Sequence, residues 1–299
     1  MTTHAFQGIP AGAVPDAATP FSLRGILAPL VAIVIGVFMV VLDSTAANVA
    51  IPTLAKGFRD PLSTIQWVIT GYTLAMAAAV PLAGWLSERF GSKQTLLASL
   101  LIFTLFSGLC ATSQSSGMLI AFRVLQGAGG GMVFPIGLAI VFRLAPPEKI
   151  GLVAAILGVP VLVAPALGPV LGGWLVQDVS WRWIFLINVP IGAVALLLGL
   201  RTLPSGARKA QDALELPGMV LAPLAFACLV YGLSEGATSW TSANTIGGLV
   251  VGAIALIAFI AVELRTVKPL IELQSCWSLR RRLQRHQGPV RLRARLPCM

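Results

Sequence analysis

"ILAPLVAIVIGVFMVVLDSTAANVAIPTLA", residues Ile26 to Ala55, carries one charged side chain, Asp43, in a stretch otherwise built of apolar and small residues. A helix rises ~1.5 Å per residue, so about 20 residues cross the ~30 Å hydrocarbon core of a bilayer, and this run is long enough to span. Seven further charge-free apolar runs follow: Pro61 to Ser87, Gln94 to Ala111, Val124 to Phe142, Ile150 to Gln177, Trp183 to Leu200, Leu216 to Ser234 and Gly236 to Val262. Eight spans are therefore expected. The composition agrees, with 57% hydrophobic and 11% charged residues and a mean hydropathy of +0.87, where soluble domains carry roughly 25% charge. Lipid offers backbone groups no hydrogen-bond partners, and the strand alternation of a barrel is missing, so the expected fold is that of an all-α integral membrane protein.

Basic residues are retained on the cytoplasmic side of short loops. With the N-terminus inside, Arg24, Arg89, Lys93, Arg143, Lys149, Arg201, Arg208, Lys209, Arg265 and Lys268 face the cytoplasm, and only Lys56, Arg59 and Arg182 face out. Both termini are expected in the cytoplasm of a multi-pass protein of the plasma membrane. Residues 1–22, rich in Pro, Ala and Thr, lack the basic start and small-residue cleavage site of a signal peptide. The net charge of +10 is concentrated at the other end, because residues 275–299 hold seven arginines and no acid.

Enzymatic and metal chemistry find no support. The four cysteines, Cys110, Cys228, Cys276 and Cys298, form no CxxC pair, and the two histidines, His4 and His286, lie in the tails. No cofactor is expected beyond a proton gradient as the source of coupling energy.

A carboxylate inside the membrane costs at least ~2.5–3.5 kcal/mol and so finds a partner in the protein interior. Asp43 lies about eight residues (~12 Å) from the outer end of helix 1, and Arg123 about six residues (~9 Å) from the outer start of helix 4. At matching depths the two can pair. Burial works against the charge of a carboxylate and a nearby cation works for it, so a proton and an arriving substrate cation would compete for Asp43. The competing reading is a structural ion pair locking helix 1 to helix 4. Thr45, Asn48 and Gln126 are candidate polar residues of the same region, read as hydrogen bonds between helices ahead of substrate ligands.

"GWLSERFGSKQTLL", Gly84 to Leu97, joins helices 2 and 3. Gly91 allows a tight reversal, and Glu88, Arg89 and Lys93 can form a charge latch that breaks when a bundle rocks. In "GVPVLVAPALGPVLGGWL", Gly158 to Leu175, Ala164, Gly168 and Gly172 recur at spacing four, which puts small residues on one face for close helix approach. Pro160, Pro165 and Pro169 remove backbone donors from the same helix, which reads as a bent gating or sealing element. "QGAGGG", Gln126 to Gly131, follows no strand, so tight helix packing is expected there and not a phosphate loop. "WRWIFLINVP", Trp181 to Pro190, is read as an aromatic anchor at the outer interface.

These stretches together resemble the major facilitator superfamily, in its fourteen-span drug:proton antiporter branch of the EmrB/QacA type. The resemblance rests on "LDSTAANVAIP" (Leu42 to Pro52), "QWVITGY" (Gln66 to Tyr72), "GWLSERFGSK" and "LIAFRVLQGAGGG" (Leu119 to Gly131). It rests further on "APALGPVLGG" (Ala164 to Gly173) and "WRWIFLINVPIG" (Trp181 to Gly192), and covers about residues 25–274, with Glu88 where the family usually has Asp. It implies a six-helix N-terminal bundle of two inverted three-helix repeats, followed by two further transmembrane helices, with the C-terminal bundle missing. It implies coupling roles for Asp43 and Arg123, a polar cavity with Asn48 and Gln126, and a cytoplasmic gate at Gly84, Glu88, Arg89, Gly91 and Lys93. Helix 5 would carry the antiporter motif in Pro165, Gly168, Pro169, Gly172 and Gly173. The implied function is proton-coupled efflux of amphipathic, cationic drugs.

The domain reading that follows is a flexible tail over 1–25, the bundle over 26–203, a linker and two more helices over 204–264, and a basic tail over 265–299. After "VKPLIEL" (Val267 to Leu273) the family pattern stops, and residues beyond about 274 are read as the product of a frameshift. Expected partners are the lipid bilayer and, with a second bundle supplied, a small-molecule substrate; no specific nucleic-acid partner is expected. The alternatives are a non-transporting membrane fragment or pseudogene product, and a facilitator for another small organic solute.

Overall fold

The computed structural model describes residues 23–204, 216–236 and 239–265. His4, His286, Cys276, Cys298, Arg208, Lys209, Lys268, "VKPLIEL" and the arginine-rich tail lie outside these residues. Nine α-helices form, and no strand occurs among the described residues. They are α1 (Leu23–Phe58), α2 (Leu62–Phe90), α3 (Ser92–Thr112), α4 (Ser116–Leu144), α5 (Ile150–Trp174), α6 (Arg182–Leu186), α7 (Asn188–Thr202), α8 (Leu216–Gly236) and α9 (Ala243–Arg265). Helices α6 and α7 together make one span, Arg182–Thr202. Among the described residues, seven stretches are long and apolar enough to cross a membrane. The other apolar run folds as α8, of 21 residues.

The helix ends follow from local chemistry. Gly91, between α2 and α3, has φ 92°, a conformation that disfavours any residue with a Cβ, so the reversal there needs glycine. Ser115 caps α4 by accepting from the Met118 amide at 3.3 Å. The Arg182 guanidinium donates to the carbonyls of Ala111 (3.0 Å) and Ser113 (3.2 Å), which satisfies the free end of α3. Arg182→Ala is expected to lower stability by about 1–2 kcal/mol, because those carbonyls lose a charged donor. Thermal unfolding of the solubilised chain followed by circular dichroism checks this, and an unshifted midpoint counts against the capping role.

Packing reveals a repeat. Helix α1 lies against α5 and α7, while α4 lies against α2 and α3. Exchanging the first three spans for the second three, in order, maps each of these neighbour pairs onto another. Three crossings are an odd number, so the second unit runs opposite to the first, and the repeat is inverted. The close approaches are made by glycines of α4: a Cβ on Gly127 would fall on the Tyr72 carbonyl oxygen of α2, and one on Gly129 would stand 2.8 Å from the Phe103 nitrogen of α3. Helices α8 and α9 pair through Gly232 and Gly248, and α8 meets α2 where Tyr231 stacks on Trp67 at 6.2 Å.

The bundle interior divides into two apolar clusters. One gathers Ile33, Met39, Val40, Tyr72, Leu100, Phe103 and Val133, and the other gathers Ala50, Leu54, Ile65, Val68, Leu119, Trp181 and Phe185. Between them in sequence on each helix stand Asp43, Ser107, Arg123 and Asn188. The aromatic-anchor reading of Trp181–Pro190 needs correction here. Trp183 is exposed, but Trp181 folds inward against Phe58 (5.7 Å) and Phe185 (6.2 Å), because the turn before α6 faces the second cluster.

Candidate functional site

A buried carboxylate lies at the centre of this polar layer. Asp43 is 2% exposed and Arg123 is fully buried. The Asp43 Oδ2 accepts from the Arg123 Nη1 at 2.5 Å, and its Oδ1 accepts from the Asn188 Nδ2 at 2.7 Å. One carboxylate thus joins α1, α4 and α7. Arg123 has other supports: its Nε donates to the Val68 carbonyl at 3.2 Å, its Nη1 to the Gln126 Oε1 at 2.9 Å, and its guanidinium lies 3.8 Å from the centre of the Tyr72 ring. The ring face holds the cation through its quadrupole, which matters most away from water.

The layer continues through neutral groups. Asn188 also donates to the Ser107 hydroxyl at 2.9 Å, which donates to the Phe185 carbonyl at 2.9 Å. The Cys110 thiol approaches the Gln126 Oε1 at 3.6 Å. Three buried atoms of this layer have no hydrogen-bond partner among the described residues: Arg123 Nη2, Gln126 Nε2 and Asn188 Oδ1. A buried unpartnered polar atom costs about 1–3 kcal/mol, so the layer holds unused bonding capacity.

The structure gathers some sequence candidates and disperses others. Asp43, Arg123 and Gln126 meet. Asn48 does not join them: it is exposed and its amide donates to the Ser44 carbonyl of its own helix at 3.0 Å. Thr45 donates to Val41 and Leu42 and, at 3.5 Å, to the Ala164 carbonyl of α5. Ala164, Gly168 and Gly172 are buried against α1, where a Cβ on Gly172 would stand 2.8 Å from the Ala46 carbonyl oxygen. Pro165 and Pro169 face away and are exposed, and a Cβ on Gly173 would meet nothing within 4 Å.

At the Gly84–Lys93 turn, Gly84 is exposed and Glu88 and Arg89 are half-buried. The Arg89 guanidinium lies over the rings of Trp85 (5.3 Å) and Phe90 (5.8 Å), and Lys93 donates to the Leu200 carbonyl of α7 at 2.9 Å. The loop cations therefore tie the turn to aromatic faces and to the end of the sixth span.

Asn188, Ser107, Tyr72 and Cys110 complete the site and were not singled out as site residues by the sequence. For Asn188 a signal existed: it is the only polar side chain in the apolar run Trp183 to Leu200.

Comparison with known proteins supplies relatives for this arrangement. Residues 33–275 match the family model described as Major Facilitator Superfamily. The chain is 38% identical over 235 residues to the multidrug resistance protein B homolog of Mycobacterium tuberculosis, an alignment covering 78% of this chain and 44% of that protein. It is 38% identical over 246 residues to the multidrug export protein EmrB of Escherichia coli K12, covering 81% of this chain and 48% of that one. Among solved structures, the POT family transporter PepTSo shares the fold with a TM-score of 0.57 at 14% identity, over 78% of this chain and 52% of that chain. The chain spans about half the length of the curated relatives it matches.

Proposed function

This chain belongs to the Major Facilitator Superfamily, and from that premise we propose that it forms the N-terminal bundle of a multidrug efflux antiporter, exporting amphipathic cationic compounds in exchange for protons. The observation that carries this reading is the Asp43 carboxylate, buried between the Arg123 guanidinium and the Asn188 amide. Proton uptake neutralises the carboxylate and weakens its hold on Arg123, whose remaining partners are Val68, Gln126 and Tyr72. A substrate cation competes for the same negative charge, so proton and cation occupy the site in turn. The compound would bind between this bundle and a second one, as in transporters that rock two bundles around a central site.

In this reading Gly84, Glu88, Arg89, Gly91 and Lys93 form the cytoplasmic gate, and Pro165, Gly168, Pro169, Gly172 and Gly173 seal helix 5 against leakage. The bias of Lys and Arg among the loops supports a plasma-membrane orientation with both termini in the cytoplasm.

The test pairs the chain with the second bundle of an EmrB-type relative, supplied as a separate polypeptide, in everted membrane vesicles. Accumulation of a fluorescent lipophilic cation is expected to follow an imposed pH gradient and to collapse with a protonophore. Uptake indifferent to the gradient would remove proton coupling and leave a facilitator. No uptake of any amphipathic cation would remove the drug class.

A further inference from the structure

Helix α5 changes character along the face it buries. The second half of that face carries Ala164, Gly168 and Gly172, and the first half carries Val153, Leu157 and Pro160. Small residues let two helices close on each other, and larger ones hold them apart. Helices α5 and α7 both pack on α1 but have little direct contact with each other, whereas α2 and α3, the equivalent spans of the first repeat, do touch. A groove of about 470 Å³ is left between them, lined by Val34 and Phe38 of α1, Val159, Pro160 and Val163 of α5 and Ile191 of α7. All of its lining side chains are apolar.

Depth places this groove in one half of the bundle. Its α1 residues precede Asp43 by five to nine positions, about 8–14 Å of helix, and Ile191 precedes Arg201 by ten, about 15 Å. That half holds the start of α5 and the end of α7, and the loop-charge count assigns it to the cytoplasmic side. Val159 and Val163 are exposed, so the groove opens sideways. Two cations stand at its cytoplasmic end: Arg201 of α7, which is exposed, and Lys149 before α5, which is half-buried. Lys93 reaches the same end through the Leu200 carbonyl. Glu148 offsets part of the charge of Lys149, which leaves Arg201 as the principal cation of the rim.

We propose that this groove holds one anionic phospholipid of the cytoplasmic leaflet, with an acyl chain between α5 and α7 and the headgroup phosphate on Arg201 and Lys149. The apolar lining alone would take the tail of any lipid, and the basic rim selects the charge. A guanidinium can meet a phosphate with two parallel bonds, which suits Arg201 to the role. One basic residue beside an anionic headgroup is worth about fivefold in affinity. The rim carries the wrong charge for an exported cation, so this site is separate from Asp43. The inference stands apart from the transport reading and holds whichever solute the bundle carries.

The test is native mass spectrometry of the full chain in detergent, titrated with phosphatidylglycerol or with phosphatidylcholine of identical acyl chains. The parent is expected to retain one phosphatidylglycerol in preference to phosphatidylcholine. Arg201→Gln should lower that preference about fivefold and leave phosphatidylcholine binding unchanged. Val159→Trp fills the groove and should remove the retained lipid whatever its headgroup. Lys56→Gln takes the same charge from the opposite end of the bundle and should change nothing. The arginine-rich tail is common to every chain compared, so its contribution cancels. All three side chains are exposed, which favours folding of the variants, and Ile156→Trp fills the same groove should Val159→Trp fail to fold. A preference unaltered by Arg201→Gln, or lowered equally by Lys56→Gln, overturns the headgroup site. Retention unaltered by a tryptophan in the groove overturns the groove as the lipid's seat.

Discussion

Asp43→Asn is expected to reduce gradient-driven export to background in the chain paired with a second bundle, while the chain still folds and inserts. The reasoning is an asymmetry in the ion pair. When Asp43 is neutral, Arg123 retains the Val68 carbonyl, the Gln126 Oε1 and the Tyr72 ring. When Arg123 is removed, Asp43 keeps only the Asn188 amide, with no cation in contact. Breaking a buried pair by removing one partner costs about 3–5 kcal/mol, because the charge left behind is uncompensated. Arg123→Met should therefore destabilise the chain by about that much, and Asp43→Asn by less. The double variant Asp43→Asn with Arg123→Met should recover stability relative to Arg123→Met alone, since residues in direct contact are not additive. Thermal unfolding orders the three variants, and vesicle uptake reads their function. Undiminished proton-driven export by Asp43→Asn would leave the pair a structural lock between α1 and α4.

The ion pair was legible because charge is scarce. In runs with one charged residue each, Asp43 and Arg123 can be matched by depth alone, and the structure brings them to 2.5 Å. Neutral members of the same layer give a weaker signal, present for Asn188 as the one polar side chain of its apolar run. Asn188 sits within a stretch whose aromatic residues also suit a membrane interface, and Ser107, Cys110 and Tyr72 read as ordinary packing residues. Helical phase explains the remaining successes and failures. Gln126 follows Arg123 by three residues and shares its face, whereas Asn48 follows Asp43 by five, about 140° around the helix, and points elsewhere. The spacing of small residues in α5 was equally readable, because the interval of four survives whatever the helix packs against. Which helix it packs against was not readable, since α1 and α5 are more than a hundred residues apart in the chain and nothing local joins them.

The glycines give the second large effect, graded by what a new methyl group would strike. On Gly131 of α4 a Cβ would fall on the Met76 carbonyl oxygen, with the Met76 Cα at 2.8 Å and its carbonyl carbon at 2.9 Å. All three are backbone atoms of α2 and cannot rotate away, so the two helices must part. Gly131→Ala should cost at least the ~1–3 kcal/mol typical of overpacking. On Gly168 of α5 the Cβ would fall on the Thr45 Oγ1, with the Thr45 Cβ at 2.8 Å and the Ala46 nitrogen at 3.1 Å. Turning the hydroxyl aside relieves the worst contact but leaves the Thr45 Cβ at 2.8 Å, so α5 must also shift from α1; with one such fixed atom below 3.0 Å against three backbone atoms at Gly131, Gly168→Ala should cost less than Gly131→Ala. Gly173→Ala meets open space and should be neutral or stabilising by up to about 1 kcal/mol, the helix preference of alanine over glycine. Unfolding midpoints in that order support tight backbone packing between α2 and α4, and equal midpoints at Gly131 and Gly173 would refute it. Gly168 also lies against Thr45, two residues from Asp43, so pushing α5 off α1 with Gly168→Leu should cut export even in chains that fold. A Gly168→Leu chain that exports at the parental rate and leaks no additional protons would leave the α1–α5 contact with a packing role alone.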